Sequence, residues 1–138
     1  MGTDLQEVID SFVIKLPFIN FQGQESKIIQ FMKTAIAKCY RHTYDNLEFV
    51  YVEELEEGNF LNVISQSSIE LISMYMVKEY LVPTLSILSK RRQYLGTQAF
   101  NKIPSYKEQY DMMKQSLEYW SEEIEKFLME FPDYSDER

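Results

Sequence analysis

Between residues 105 and 131 the chain reads SYKEQYDMMKQSLEYWSEEIEKFLMEF, with no glycine or proline to interrupt it. Its apolar residues Tyr106, Tyr110, Met113, Leu117, Trp120, Ile124, Phe127 and Phe131 are separated alternately by four and three positions. That spacing draws one stripe along an α-helix, whereas a strand would need alternation at every second residue. The predicted helix is roughly 40 Å long. Ser105 and Glu108 have the spacing of a reciprocal capping box, which predicts the helix start just after Pro104. Glu118, Glu122, Glu123, Glu125, Lys126 and Glu130 form the opposite, solvated face. A helix cannot cover its own stripe, so the rest of the chain or another subunit must do so.

The remaining segments predict partners for that stripe. Leu5, Val8, Ile9, Phe12 and Val13 have helical spacing within 3–15, and Thr3 with Gln6 marks a capping box; a strand over 12–16 is the alternative. Phe18, Ile19 and Phe21 lie in a segment containing Asn20 and Gly23, read as a loop anchored by its aromatic rings. Ile28, Met32, Ala35, Ile36 and Cys39 predict a second helix over 25–41. Ser67 and Glu70 mark a third start. There Ile69, Ile72, Met76 and Tyr80 make one stripe, and Leu71, Tyr75, Val77 and Leu81 widen it, so this is expected to be the most buried helix. Pro83 is expected to kink it or begin a new turn, with packing extended as far as Ser89. The segment LEFVYVEEL at 47–55 is open between a short strand, an extended arm and helix, with Gly58 and Asn59 ending or turning it. The expected fold is all-α: about four helices in a bundle with a long C-terminal amphipathic helix. Residues 1–138 form a single domain, and 132–138 are an acidic tail that frays.

Composition narrows the function classes. The chain has 138 residues and a formal net charge of −8, which on average repels nucleic acid. One cysteine excludes an intrachain disulfide and fits a reducing compartment. No leader pattern is visible at the N-terminus, and the uninterrupted apolar runs look too short for a bilayer, so neither secretion nor a membrane is expected. Aromatic residues reach 14%, with ten tyrosines, a composition that suits subunit contacts as well as a core.

Candidate chemistry is sparse. Cys39 falls on an apolar face and reads as a small core residue; His42 follows at three residues, and this is the chain's only Cys/His pair, too few for a metal site. Asp45, Glu48, Glu53, Glu54, Glu56 and Glu57 form an acidic block with no basic residue before Lys78. Paired carboxylates can do acid–base chemistry only in a pocket that separates their pKa values, so the simpler reading is a solvated acidic face. Lys90, Arg91, Arg92, Lys102 and Lys107 form a basic block with no acidic residue before Glu108. It suits either phosphate or, preferably, an acidic protein surface, and the two blocks are complementary enough to join neighbouring copies. No phosphate cradle, HExxH motif or nucleophile elbow is present, so no catalytic, cofactor or metal residues are assigned.

The run from Ile69 to Leu128, an apolar helix, then a linker at 89–104 with Gln98, Ala99, Phe100 and Ser105, then a long amphipathic helix, resembles small helical bacteriophage structural proteins of the head-to-tail connector. The resemblance covers about half of the chain and rests on the order of elements. It implies a non-enzymatic virion protein, made in the host cytoplasm and present in many copies as a neck-adaptor ring around the DNA channel. Its implied partners are other copies, portal-side and tail-side phage proteins, and channel DNA through nonspecific contact. A tail-completion or baseplate component, and a helical regulatory binding module, are the alternatives.

Overall fold

The computed structural model describes residues 2–130. Its elements are α1 (Leu5–Lys15), α2 (Glu25–Cys39), β1 (Phe49–Val52), β2 (Glu57–Phe60), α3 (Gln66–Leu95), α4 (Thr97–Asn101) and α5 (Pro104–Glu130), with short 3₁₀ turns at Tyr40–His42 and Glu53–Leu55. The protein is helical, with a long C-terminal helix and one short, open, two-stranded sheet. Phe131 and the acidic tail at 132–138 lie outside the described residues.

Helix α3 is the axis of the molecule. Its buried residues are Ser68, Ile69, Leu71, Ile72, Ser73, Met74, Met76, Val77, Leu81 and Leu88, so all but one precede residue 82. Around that first half pack α1, α2 and the C-terminal part of α5. Ser11 Oγ donates to Ser73 Oγ at 3.0 Å, Lys15 bridges to Glu70 at 2.9 Å, and Lys38 pairs with Glu79. Phe12, Phe21, Phe31 and Tyr80 form a chain of tilted and edge-on rings with centroids 5.0 to 6.4 Å apart. This is the head. Beyond Tyr80 the second half of α3 is accompanied by α4 and the first half of α5, an antiparallel helical hairpin that forms a stalk.

Three predicted helix starts are displaced, the first two for a tertiary reason and the third for a local one. Helix α1 is capped by Asp4, whose carboxylate accepts from Gln6 N at 2.8 Å, because Thr3 is engaged elsewhere: its hydroxyl accepts from Ile64 N at 3.0 Å and its backbone pairs with Phe60 and Asn62. Helix α3 is capped by Ser65 in place of Ser67, and Ser65 is fixed by Asp45. Helix α5 starts at Pro104, the first helical position that suits a residue with fixed φ and no N–H, and the Ile103 carbonyl accepts from Tyr106 N and Lys107 N.

Pro83 does not end α3. Glu79 loses the N–H it would have received from position 83, but the neighbouring Tyr80 carbonyl gains the Thr84 hydroxyl at 2.7 Å, and the helix continues to Gly96, where φ is 83°. The linker expected over 89–104 is therefore the last turns of α3 followed by α4. Continuous α3 is also long and apolar enough to cross a bilayer, with a mean hydropathy of 1.2 over its best window, in contrast to the short runs read from the sequence. Half of that window is buried by the protein itself, as befits the central helix of a bundle.

The open segment at 47–55 resolves into a hairpin. Phe49 pairs with Phe60 and Val52 with Glu57, and the chain reverses through Glu53–Leu55 with Glu56 left-handed at φ 51°. Gly58 and Asn59, expected to turn the chain, lie inside β2. A side chain at Gly58 would meet the Val50 carbonyl at 2.2 Å and Leu5 Cδ1 at 2.9 Å, so glycine there permits close approach.

Candidate functional site

The five basic residues singled out from the sequence gather at the stalk tip. Lys90, Arg91 and Arg92 occupy the last turns of α3, Lys102 follows α4, and Lys107 lies in the first turns of α5. Phe100 is buried between the two long helices, its ring 5.7 Å from Tyr106 and 6.0 Å from Tyr110. The guanidinium of Arg91 lies over Tyr106 at 5.5 Å and that of Arg92 over Tyr110 at 5.4 Å. Each stacking holds a long side chain in place at about 0.5–1 kcal/mol. Cations at a helix C-terminus also complement its dipole. None of the five forms an ion pair among the described residues. Residues 82–114 hold six cations against two carboxylates, in a chain whose net charge is −8.

The acidic block lies on the head and splits into two roles. Asp45 is structural: Oδ2 accepts from Ser65 N at 2.8 Å, from Ser65 Oγ at 2.8 Å and from Ser68 Oγ at 2.6 Å, while Thr43 Oγ1 is 2.6 Å from Ser68 Oγ. A carboxylate that ties down the first turn of α3 is a capping group, and the network places it roughly 35–40 Å along α3 from Arg91. Glu48, Glu53, Glu54, Glu56 and Glu57 are exposed on the hairpin. The basic and acidic blocks therefore do not meet within one chain. Sequence reasoning named both sets but missed Thr43, Ser65 and Ser68 around Asp45, and the ring partners of the two arginines, because antiparallel packing brings them together from distant positions.

Chemistry elsewhere is limited. Cys39 is completely buried, and desolvation pushes its thiol up to about 12, which leaves almost no nucleophilic thiolate near neutral pH. Burial, followed by the nearby carboxylates Glu56, Glu53 and Glu25, raises the Tyr51 phenol. In a small cleft of about 240 Å³ His42 lies near Asp45, Ser65, Ser67 and Ser68. The Nδ1 atom of His42 is buried without a hydrogen-bond partner and the two capping hydroxyls are engaged by Asp45, so no base–nucleophile pair is formed through that nitrogen. Among the described residues no three His, Cys, Asp or Glu side chains gather as metal ligands. A larger open groove of about 1070 Å³ runs between β1 and α2, lined by Lys33, Ile36, Tyr40, Leu47, Phe49 and Tyr51, with Glu48 and Glu53 on its border.

Compared with known proteins, the chain matches no family model, no curated sequence and no solved structure.

Proposed function

We propose that this chain is a non-enzymatic assembly subunit whose basic stalk tip engages an acidic surface of another subunit. The observation that carries the reading is the separation of charge: five cations without an ion pair among the described residues, two of them stacked on tyrosine rings, gather at one end of the molecule, and exposed carboxylates lie at the other. Charges arranged in this way steer encounter and fix register more than they add affinity. A contact that joins unlike patches of two copies is heterologous, and its repetition closes a ring when the rotation permits.

The setting we propose is the one implied by the connector resemblance: a virion component of a bacteriophage neck, in a ring around the DNA channel between portal-side and tail-side proteins. The cationic tip also suits nonspecific contact with channel DNA, which the salt dependence of binding would report. Locating the chain by imaging native particles is the test. Density in a ring at the head-to-tail junction supports the connector, density at the tail tip favours a tail-completion or baseplate role, and absence from purified virions defeats both.

A further inference from the structure

The hairpin has two edges, and they are treated differently. Leu61 N donates to the Glu48 carbonyl at 2.9 Å and Phe49 stands opposite Phe60, so the bonds that join the two strands fall at Glu48, Val50 and Val52. On β2 the groups that point away from β1 are used by the N-terminal segment. Phe60 N donates to the Thr3 carbonyl at 2.8 Å, Thr3 N donates to the Asn62 carbonyl at 3.2 Å, and Asp4 bridges to Asn59. On β1 the groups that point away are the N–H and C=O of Phe49 and Tyr51, and no described residue bonds them. Proteins blunt such an edge with lysine, proline or a bulge; β1 is short, but its sequence FVYV carries none of these.

Beside this edge lies the groove of about 1070 Å³, whose opposite wall is α2 at Lys33 and Ile36. That volume is at the upper end of the range for ligand pockets, roughly 300–1,000 Å³. Leu47, Phe49 and Tyr51 present apolar surface to it, while Val50 and Val52, which alternate with them, are exposed at 55% and 39% on the outer face. A strand added about 4.8 Å from β1 would therefore turn every second side chain toward the groove and the others past Val50 and Val52. The rim is acidic: Glu48 and Glu53 border the groove, and residues 48–61 hold five carboxylates and no cation. A second copy pairing β1 with β1 would set two such hairpins side by side, and like charges across strands oppose it. The basic stalk tip does not suit the edge either, because its cations stand on or beside helices, which cannot extend a sheet.

We propose that the open edge of β1 takes up an extended segment of a partner protein, apolar at alternate positions that face the groove and basic at those between. Main-chain bonds to Phe49 and Tyr51 would hold the segment, and the groove and the carboxylates would select its side chains. This contact is separate from that of the stalk tip. The probe is a fluorescent peptide of alternating valine and lysine, set against one of the same composition with its valines and lysines in separate blocks. The alternating peptide should bind on the order of tenfold tighter in fluorescence anisotropy, since the two peptides share their charge and differ in which residues reach the groove. In hydrogen exchange read by NMR it should slow the amides of Phe49 and Tyr51, exchanging fast in the free protein, far more than those of Val50 and Val52, which are already in the ladder. A Val50→Lys, Val52→Lys variant, altered only at exposed positions, should keep its circular dichroism spectrum and bind the alternating peptide about tenfold more weakly, because its new cations meet those of the peptide. Equal binding of the two peptides would reduce the contact to bulk charge and overturn the proposal. So would Phe49 and Tyr51 amides unmoved at saturating peptide, or amides already protected in a dimer of the protein alone.

Discussion

The two halves of α3 have similar lengths and opposite uses. Up to Leu81 the helix is buried almost all round, covered by α1, α2 and the end of α5, and it carries Ser73 and Ser68 at full burial with their hydroxyls hydrogen-bonded. Beyond Pro83 one further residue, Leu88, is buried, and Ile87, Tyr94 and Leu95 are exposed. A helix with one hairpin neighbour along half its length leaves the rest of that half exposed. The comparison teaches that apolar content alone does not locate a core: both halves are apolar, but only the first is enclosed.

The largest expected effect lies in the head. Phe12 is completely buried against Phe21 and Phe31, so Phe12→Ala should cost about 3–5 kcal/mol in a denaturant melt. In the stalk, Leu117 is half-buried, and Leu117→Ala should cost about 1–3 kcal/mol because part of the cavity opens to water. Equal losses at the two sites would erase the distinction between head and stalk. Asp45→Ala comes next: removal of the acceptor for Ser65 and Ser68 should cost about 2 kcal/mol, with much of it recovered in Asp45→Asn, which keeps an acceptor oxygen. If Asp45→Ala melts like the parent, the carboxylate is not what begins α3.

Charge reversal at the tip should separate folding from assembly. The Arg91→Glu, Arg92→Glu double variant should lose about 1–2 kcal/mol of stability, the value of its two ring contacts, while its incorporation into particles and the salt dependence of that step change. The smallest effect concerns alkaline pH. Because the Cys39 thiol is raised from 9.0 to about 12, the native state keeps a proton that the unfolded chain releases, and stability should fall as pH rises from about 9 toward 12. Cys39→Ala should show a shallower decline in urea midpoint over that range, and an identical decline would remove the thiol from the account.

Much of the fold was legible because periodicity survives any tertiary context. The stripes of α2 and α5, and the widened surface of α3, all follow from spacing alone. What was illegible depended on residues far apart in the chain. By local rules Ser67, with Glu70 three residues on, is the cap, and Asp45, twenty residues before Ser65, moves the start to Ser65. Gly58 and Asn59 read as a turn because their propensities are those of a turn, but glycine is required there by the approach of Val50 and Leu5. The cations of the stalk tip were visible in the sequence. That they are displayed together, with Arg91 and Arg92 stacked on Tyr106 and Tyr110 and all remote from the acidic hairpin, follows only from the reversal of the chain at Gly96 and α4.

Native-state hydrogen exchange along α3, measured in the free protein and in its assembled form, tests the division of this helix most directly. Amides from 69 to 81 should exchange only through global unfolding in both forms, while those from 84 to 95 should exchange faster in the free protein and gain protection on assembly. Uniform protection along α3 in the free chain, unchanged by assembly, would contradict a stalk built for contact with another subunit.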